Sequence, residues 1–232
     1  WPRPVVLLEA DTAGADLAYR CRAEQGATIA AQPGLLTLAA AVRGGRPTAR
    51  AVTDQAQRLA CGVQLVQGVT SASQARGFTG GIWPAIAAAA TAADVDVIAD
   101  LGRLDRGSPA MALAQAADHL LMVASATLES VMHLSAGLQD VMGAVAQSGP
   151  VPVSPLLVGP EAHAAGDRAD LDQLLDREGL PTLPTQSLPY DPAAVQRLER
   201  GESPAGRLGR TLLLRGARAV AGAACLPEVV RL

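Results

Sequence analysis

The chain has 232 residues, which fits a single domain over residues 1–232, and its 49% hydrophobic content is ample for a sizeable core. Aromatics make up only 2%, so that core must be built from Ala, Val and Leu. A formal net charge of −3 leaves no footprint for DNA or an anionic membrane, and no uncharged apolar run of about 18 residues exists to cross a bilayer.

Short apolar runs alternate with longer helical stretches, which predicts βα units and a mostly parallel sheet. Pro4–Glu9 (PVVLLE) reads as the first strand, followed by a polar turn over Asp11–Asp16 and a helix to about Arg22. Leu35–Arg43 reads as a helix, closed by the breakers Gly44, Gly45, Arg46 and Pro47. Val63–Gln67 is the second strand; Ser71–Gly77 and Trp83–Ala93 are helical. Val95–Asp100 (VDVIAD) is a third strand ending in an acid, then come a helix over Ala110–Ala117 and a strand over Leu120–Ala124. Leu128–Gln147 is the clearest helix: Leu128, Val131, Leu138, Met142 and Val145 recur near helical spacing, and Thr127 is placed to cap it. Val151–Val158 is a fifth strand, which Pro152 and Pro155 assign to a sheet edge. Leu171–Arg177 is helical, Thr182–Leu188 a weak strand, and the helices Ala193–Arg200 and Leu208–Ala221 close the series.

Ligands in open α/β sheets bind outside the carboxyl ends of the strands. Asp11 lies two residues past the first strand and Asp100 ends the third, so both are expected at one crevice. A carboxylate there suits a hydrated Mg²⁺, which needs only one or two carboxylates; capping of the following helices is the plainer alternative.

Taken in order, the segments resemble the ParA/MinD-like P-loop ATPases, the deviant Walker A group of the SIMIBI class. Val5–Leu17 is similar to their strand and first switch, hhhhDxDPxxGxL. Val97–Gly102 resembles their Walker B strand running into the second switch, and Ala117–Ser130 the next strand and the start of its helix. Leu188–Asp191, followed by an Arg-rich helix, resembles the adenine-side loop. The likeness covers nearly the whole chain, and it implies an α/β fold with a mostly parallel sheet flanked by helices on both faces.

The resemblance also implies roles. Asp11 would be the catalytic switch residue that orients the attacking water, and Asp100 would hold Mg²⁺ through a water. Gly102 would sit near the γ-phosphate, Gly14 would permit the turn after the first switch, and Pro189, Tyr190 and Asp191 would lie near the adenine. ATP and Mg²⁺ are the implied cofactors. The implied partners are a second copy in a nucleotide-dependent homodimer and a protein that stimulates hydrolysis. The implied task is positioning of DNA, a division component, or a pilus or secretion assembly. Glu9 departs from the family's Asp, and Thr12 from its Pro.

The family's phosphate loop, with two lysines and a Ser/Thr, is expected about 25 residues ahead of the first strand. All 19 basic residues of this chain are Arg, and the sequence opens on Trp1 directly into that strand, as expected of a truncated or processed chain. The resemblance places the missing strand near the middle of the sheet, so two central strands are expected to lack a neighbour. By itself the chain is expected to be inactive. A non-catalytic scaffold with the same fold is the alternative; a different α/β hydrolase or transferase would need a nucleophile that the sequence does not offer.

The remaining candidates read as structural. Arg43–Thr48 imitates a phosphate loop but follows a helix and reads as a surface turn, and Gly201–Ala205 misses the nucleophile-elbow pattern and reads as a loop. His119, His133 and His163 lack metal-ligand spacing, Asp94 and Asp96 read as turn residues, and Met111, Met122, Met132 and Met142 as core filler. Arg207, Arg210, Arg215 and Arg218 read as a solvated helix face, with a partner or DNA contact as the alternative. Cys21, Cys61 and Cys225 are odd in number and far apart in sequence, which argues against a disulfide framework or zinc site and for a reducing cytoplasm.

Overall fold

The computed structural model describes residues 1–78 and 81–225. The chain forms two compact units: Arg3–Ala116 with Val195–Pro204, and Trp1–Pro2 with Ala117–Ala194 and the chain from Ala205.

The first unit is built on β1 (Val5–Glu9), whose β-branched and apolar residues suit a strand buried from both sides. β1 pairs in parallel with β3 (Gln64–Val66) on one edge and β4 (Asp96–Asp100) on the other. A two-residue strand, β2 (Gln57–Arg58), runs antiparallel to β3, which gives the order β2-β3-β1-β4. Side chains alternate across this sheet. Val6, Leu8 and Val66 join a large apolar cluster, whereas Leu7 and Leu65 join a smaller one with Ile29 and Leu59.

Parallel neighbours require crossovers, and helices supply them. Between β1 and β3 lie α1 (Leu17–Arg20) and α2 (Leu35–Val42); between β3 and β4 lie α3 (Ala72–Arg76) and α4 (Ile82–Thr91); α5 (Met111–Gln115) follows β4. The Ala-rich α4 buries Ile82, Trp83, Ile86, Ala87 and Ala89. Its Pro84 costs no hydrogen bond, because the third helical residue's N–H is an orphan in any helix. Phe78 and Trp83 pack edge to face at 5.5 Å.

In the second unit three parallel strands run in the order β5-β6-β7, namely Leu120–Ser125, Val153–Gly159 and Gln186–Pro189. Their crossovers are α6 (Leu128–Val145) and α7 (Ala164–Arg177), and α9 (Leu212–Ala224) also belongs to this unit; α8 (Pro192–Glu199) starts in it, and its residues from Val195 belong to the first unit. The half-buried His119 shares a 2.9 Å hydrogen bond with Ser154 Oγ, and burial lowers its pKa, a structural role as expected.

Three expectations are corrected. β6 is the central strand of its sheet, not an edge, despite Pro155. The hydrogen bonds show why. Leu120 and Ala126 of the β5 side donate to Pro152 and Val158, so even-numbered β6 residues face β5. Leu183 N and Tyr190 N donate to Val153 and Gly159, so odd-numbered residues, Pro155 among them, face the β7 side. Pairing with β7 begins only at Leu156, so the N–H that proline lacks is not one the ladder uses.

Second, Leu128 (80% exposed) and Met132 (50%) do not enter the core. The buried stripe of α6 is Leu134, Ser135, Leu138, Val141, Ala144 and Val145, and at about 100° per residue Leu128 and Met132 fall outside it. Third, Asp96 is a strand residue rather than a turn residue; the exposed Arg3 pairs with it at 2.8 Å.

β4 has one neighbour, β1, and β5 has one neighbour, β6, among the described residues. Both present apolar side chains to solvent, with Ile98 42% and Val123 61% exposed.

Candidate functional site: the carboxyl ends of β1 and β4

Parallel pairing sets Glu9 opposite Asp100, so the two strands end level with each other. The ladder continues one step further, since Ala10 N donates to the Asp100 carbonyl at 2.7 Å. Asp11 therefore emerges beside Asp100, where the sequence pattern puts it.

The Asp11 carboxylate turns back on its own loop, its Oδ1 accepting from Ala13 N at 2.7 Å in an Asx turn. Asp100 does the same one strand over: its Oδ1 accepts from Gly102 N at 3.0 Å. Gly102 joins the two acids. Its φ is +60°, and a Cβ built there would lie 2.5 Å from both carboxylate oxygens of Asp11. Only glycine lets the chain after β4 approach the Asp11 carboxylate so closely. Gly14, at φ +136°, completes the loop against Thr70 and Ser71, with 3.4 Å from its Cβ position to the Thr70 carbonyl oxygen.

Sequence reasoning missed the residue that holds this loop in place. Glu9 is 2% exposed, and its carboxylate accepts from Leu17 N at 2.9 Å and from Gly68 N at 3.1 Å. One side chain thus ties the end of β1 to the start of α1 and to the segment after β3. Burial raises its pKa; the two N–H donors oppose that shift, and the Asp100 and Asp16 charges add to it. Gly68 fits tightly here, since a Cβ would sit 2.7 Å from the Ala15 Cβ and 2.8 Å from the Glu9 carbonyl oxygen. The only sequence signal for Glu9 is an acid closing an apolar strand, which its burial makes costly unless paired.

Asp11, Gly14, Asp100 and Gly102 are thus gathered in one unit. Pro189, Tyr190 and Asp191 lie together in the other, at the end of β7. Pro189 is buried and packs on Gly216, Tyr190 is 69% exposed, and Asp191 accepts from Ala194 N at 2.9 Å in the first turn of α8. Asp191 therefore caps a helix whatever else it does. Gly44 and Gly45 face open space, so the Arg43–Thr48 stretch is the surface turn expected of it. A groove of about 310 Å³ lined by Leu36, Ala39, Arg43, Gln74 and Phe78 includes none of the site acids.

The carboxylates suit one divalent cation held largely through its own waters, because Mg²⁺ is content with one or two carboxylates. Asp100 is exposed, and its Oδ2 carries no hydrogen bond among the described residues. A dedicated all-protein cage does not form: no group of three or more His, Cys, Asp or Glu side chains suited to a metal occurs among the described residues. Nor is any helix among them long and apolar enough to cross a membrane.

No protein-family model matches the sequence, and no curated protein matches it either. Solved structures do match. A ParA family ATPase from Chlorobium tepidum superposes with a TM-score of 0.69 at 16% identity, over 95% of this chain and 85% of that one. An Asp-to-Ala variant of McdA from Cyanothece, in complex with ATP, gives 0.61 at 19% identity over 99% and 88%. The septum site-determining protein MinD from Pyrococcus horikoshii, in complex with Mg-ADP, gives 0.54 at 12% identity over 96% and 86%. The chain has the fold of the ParA/MinD-like P-loop ATPases.

Proposed function

We propose that the chain carries the switch and metal-binding part of an ATP-hydrolysing positioning protein of the ParA/MinD type. The observation that carries this reading is the meeting of Asp11, Asp100 and Gly102 at the ends of adjacent parallel strands. A purely structural sheet has no need for two acids there, still less for a glycine shaped to one of them. In support, the same fold binds ATP in McdA and Mg-ADP in MinD.

In this reading Asp100 holds Mg²⁺ through a water. Once bound, that ion would neutralise charge on the phosphates. Asp11 orients the attacking water with the oxygen its Asx turn leaves over, and Gly14 and Gly102 give the phosphate room. Pro189, Tyr190 and Asp191 receive the base, with the exposed Tyr190 ring as a stacking surface. Nucleotide would bring two copies together in the cytoplasm. The stimulating partner would meet α6, where Leu128 and Met132 stay uncovered. The open edges of β4 and β5 fit the expectation that each takes a further strand. A chain whose 19 basic residues are all Arg brings no lysine to the phosphates, so we infer that these residues alone do not turn ATP over.

Thr12, where the family has Pro, favours one other reading, a scaffold that keeps the fold without binding nucleotide. The test is Mg²⁺-dependent ATP turnover by the product of the whole open reading frame, with Asp11→Ala and Asp100→Ala. The ATPase reading expects turnover in the parent and a loss of about 100-fold in each variant. A parent that neither binds nor hydrolyses ATP, with Asp100→Ala unchanged or more stable, would leave the scaffold reading in its place.

A further inference from the structure

The chain following the Asp11 loop runs through α1 to Cys21 and then pairs with the turn that opens the β2–β3 hairpin. Ala23 bridges Leu59 in antiparallel sense, and Ala60 N donates to the Arg22 carbonyl at 2.9 Å. That bond, from the residue after Leu59 to the residue before Ala23, marks Ala23–Leu59 as a non-hydrogen-bonded pair. Cys21 and Cys61 lie just beyond this bridge, Cys21 at the end of α1 and Cys61 in the turn that Gly62 N closes on the Leu59 carbonyl at 2.8 Å. Both side chains are half-buried, and both pack on the small cluster of Ile29, Leu59 and Leu65.

We propose that Cys21 and Cys61 form a reversible intrachain disulfide that fastens the segment after the Asp11 loop to the β2–β3 turn. The oxidant is a low-molecular-weight disulfide. One thiolate attacks it, forming a mixed disulfide and releasing one small thiol; the second cysteine thiolate then displaces the other small thiol. Two protein thiols are oxidised by two electrons, and one small disulfide is reduced to two thiols. Both cysteines belong to one compact unit, so the bond needs no rearrangement between units. Burial, followed by the neighbouring Cys61 sulfur and the Glu199 and Glu9 carboxylates, pushes the Cys21 thiol up, against Arg20, so the exchange quickens toward alkaline pH. Cys225 lies at the end of α9 in the other unit and serves as the control.

The test is oxidation of the native chain with oxidised glutathione, followed by alkylation of the remaining thiols and peptide mapping. A Cys21–Cys61 cross-linked peptide is expected as the dominant product. It should persist in Cys225→Ser, vanish in Cys61→Ser, and reopen with dithiothreitol. The oxidised form should melt higher by roughly 5 °C or more, because the bond restricts the unfolded chain. The same reaction in guanidinium gives the unfolded chain's mixture of pairings. A native reaction that matches that mixture, or that stops at glutathione adducts on Cys21 and Cys61, overturns the proposal.

Discussion

The two sheets share one construction rule, parallel strands joined by helical crossovers, and they spend their strand ends differently. At the ends of β1 and β4 three acids converge: Glu9 is sealed between two backbone donors, while Asp11 and Asp100 each keep an oxygen uncommitted among the described residues. At the end of β7 the one acid, Asp191, is engaged in capping α8, and a proline closes the strand. In the first sheet the structural duty falls on Glu9, which leaves its neighbours available for the roles proposed for them; in the second, capping and the adenine-side role proposed for Asp191 fall on the same residue. Burial separates the two kinds of acid more sharply than residue type does.

The contrast can be broken most directly at Gly102. Gly102→Ala places a methyl group against the Asp11 carboxylate at a positive φ, so it is expected to cost about 2 kcal/mol in chemical denaturation. In the whole open reading frame, turnover should fall by about 100-fold, as for loss of Asp11 itself. Unchanged melting with unchanged turnover would mean that the approach of Gly102 to Asp11 is not part of the working site.

Glu9→Gln comes next, at about 1 kcal/mol near neutral pH, because an amide can accept from only one of the two N–H donors, a loss that burial of the carboxylate's charge partly offsets. Its pH dependence sharpens the comparison. Burial raises the folded-state pKa of Glu9 above the ordinary 4.5. Protonation is therefore favoured on folding, and the stability it contributes is full below 4.5 and lost as pH rises through the raised value. The advantage of the parent over Glu9→Gln should shrink as pH rises above 4.5. An advantage that grows with pH would show the two N–H donors outweighing burial.

The smallest effect is expected in the second sheet. Pro155→Val restores an N–H on the side of β6 where no β7 residue is yet paired, so stability should change by less than about 0.5 kcal/mol. A gain of more than about 1 kcal/mol would mean that the proline removes a ladder bond after all.

Strands β1, β4 and β5 were legible in the sequence because apolar runs bounded by turns are a local signal, and α6 because its spacing is. β2 was not: Gln57 and Arg58 carry no strand signature and pair only because the hairpin folds back on Leu65 and Gln64. The place of Pro155 was misread because whether a missing N–H matters depends on which neighbour that residue faces, and register is a tertiary property. The site divides in the same way. Strand ends announce Asp11 and Asp100, and the resemblance adds Gly102; the anchoring by Glu9 depends on Gly68, 59 residues away, which spacing cannot reveal.

The uncovered margins of β4 and β5 have a practical consequence. Sheet margins in proteins that must stay apart are guarded by lysine, proline or a bulge. Here Ile98 and Val123 stand there instead, beside backbone groups with no second strand to meet among the described residues. Such a margin accepts a strand from any chain that offers one, another copy included. For these residues by themselves, a dilute and a crowded sample are therefore expected to hold different particles, which sedimentation over a concentration series checks.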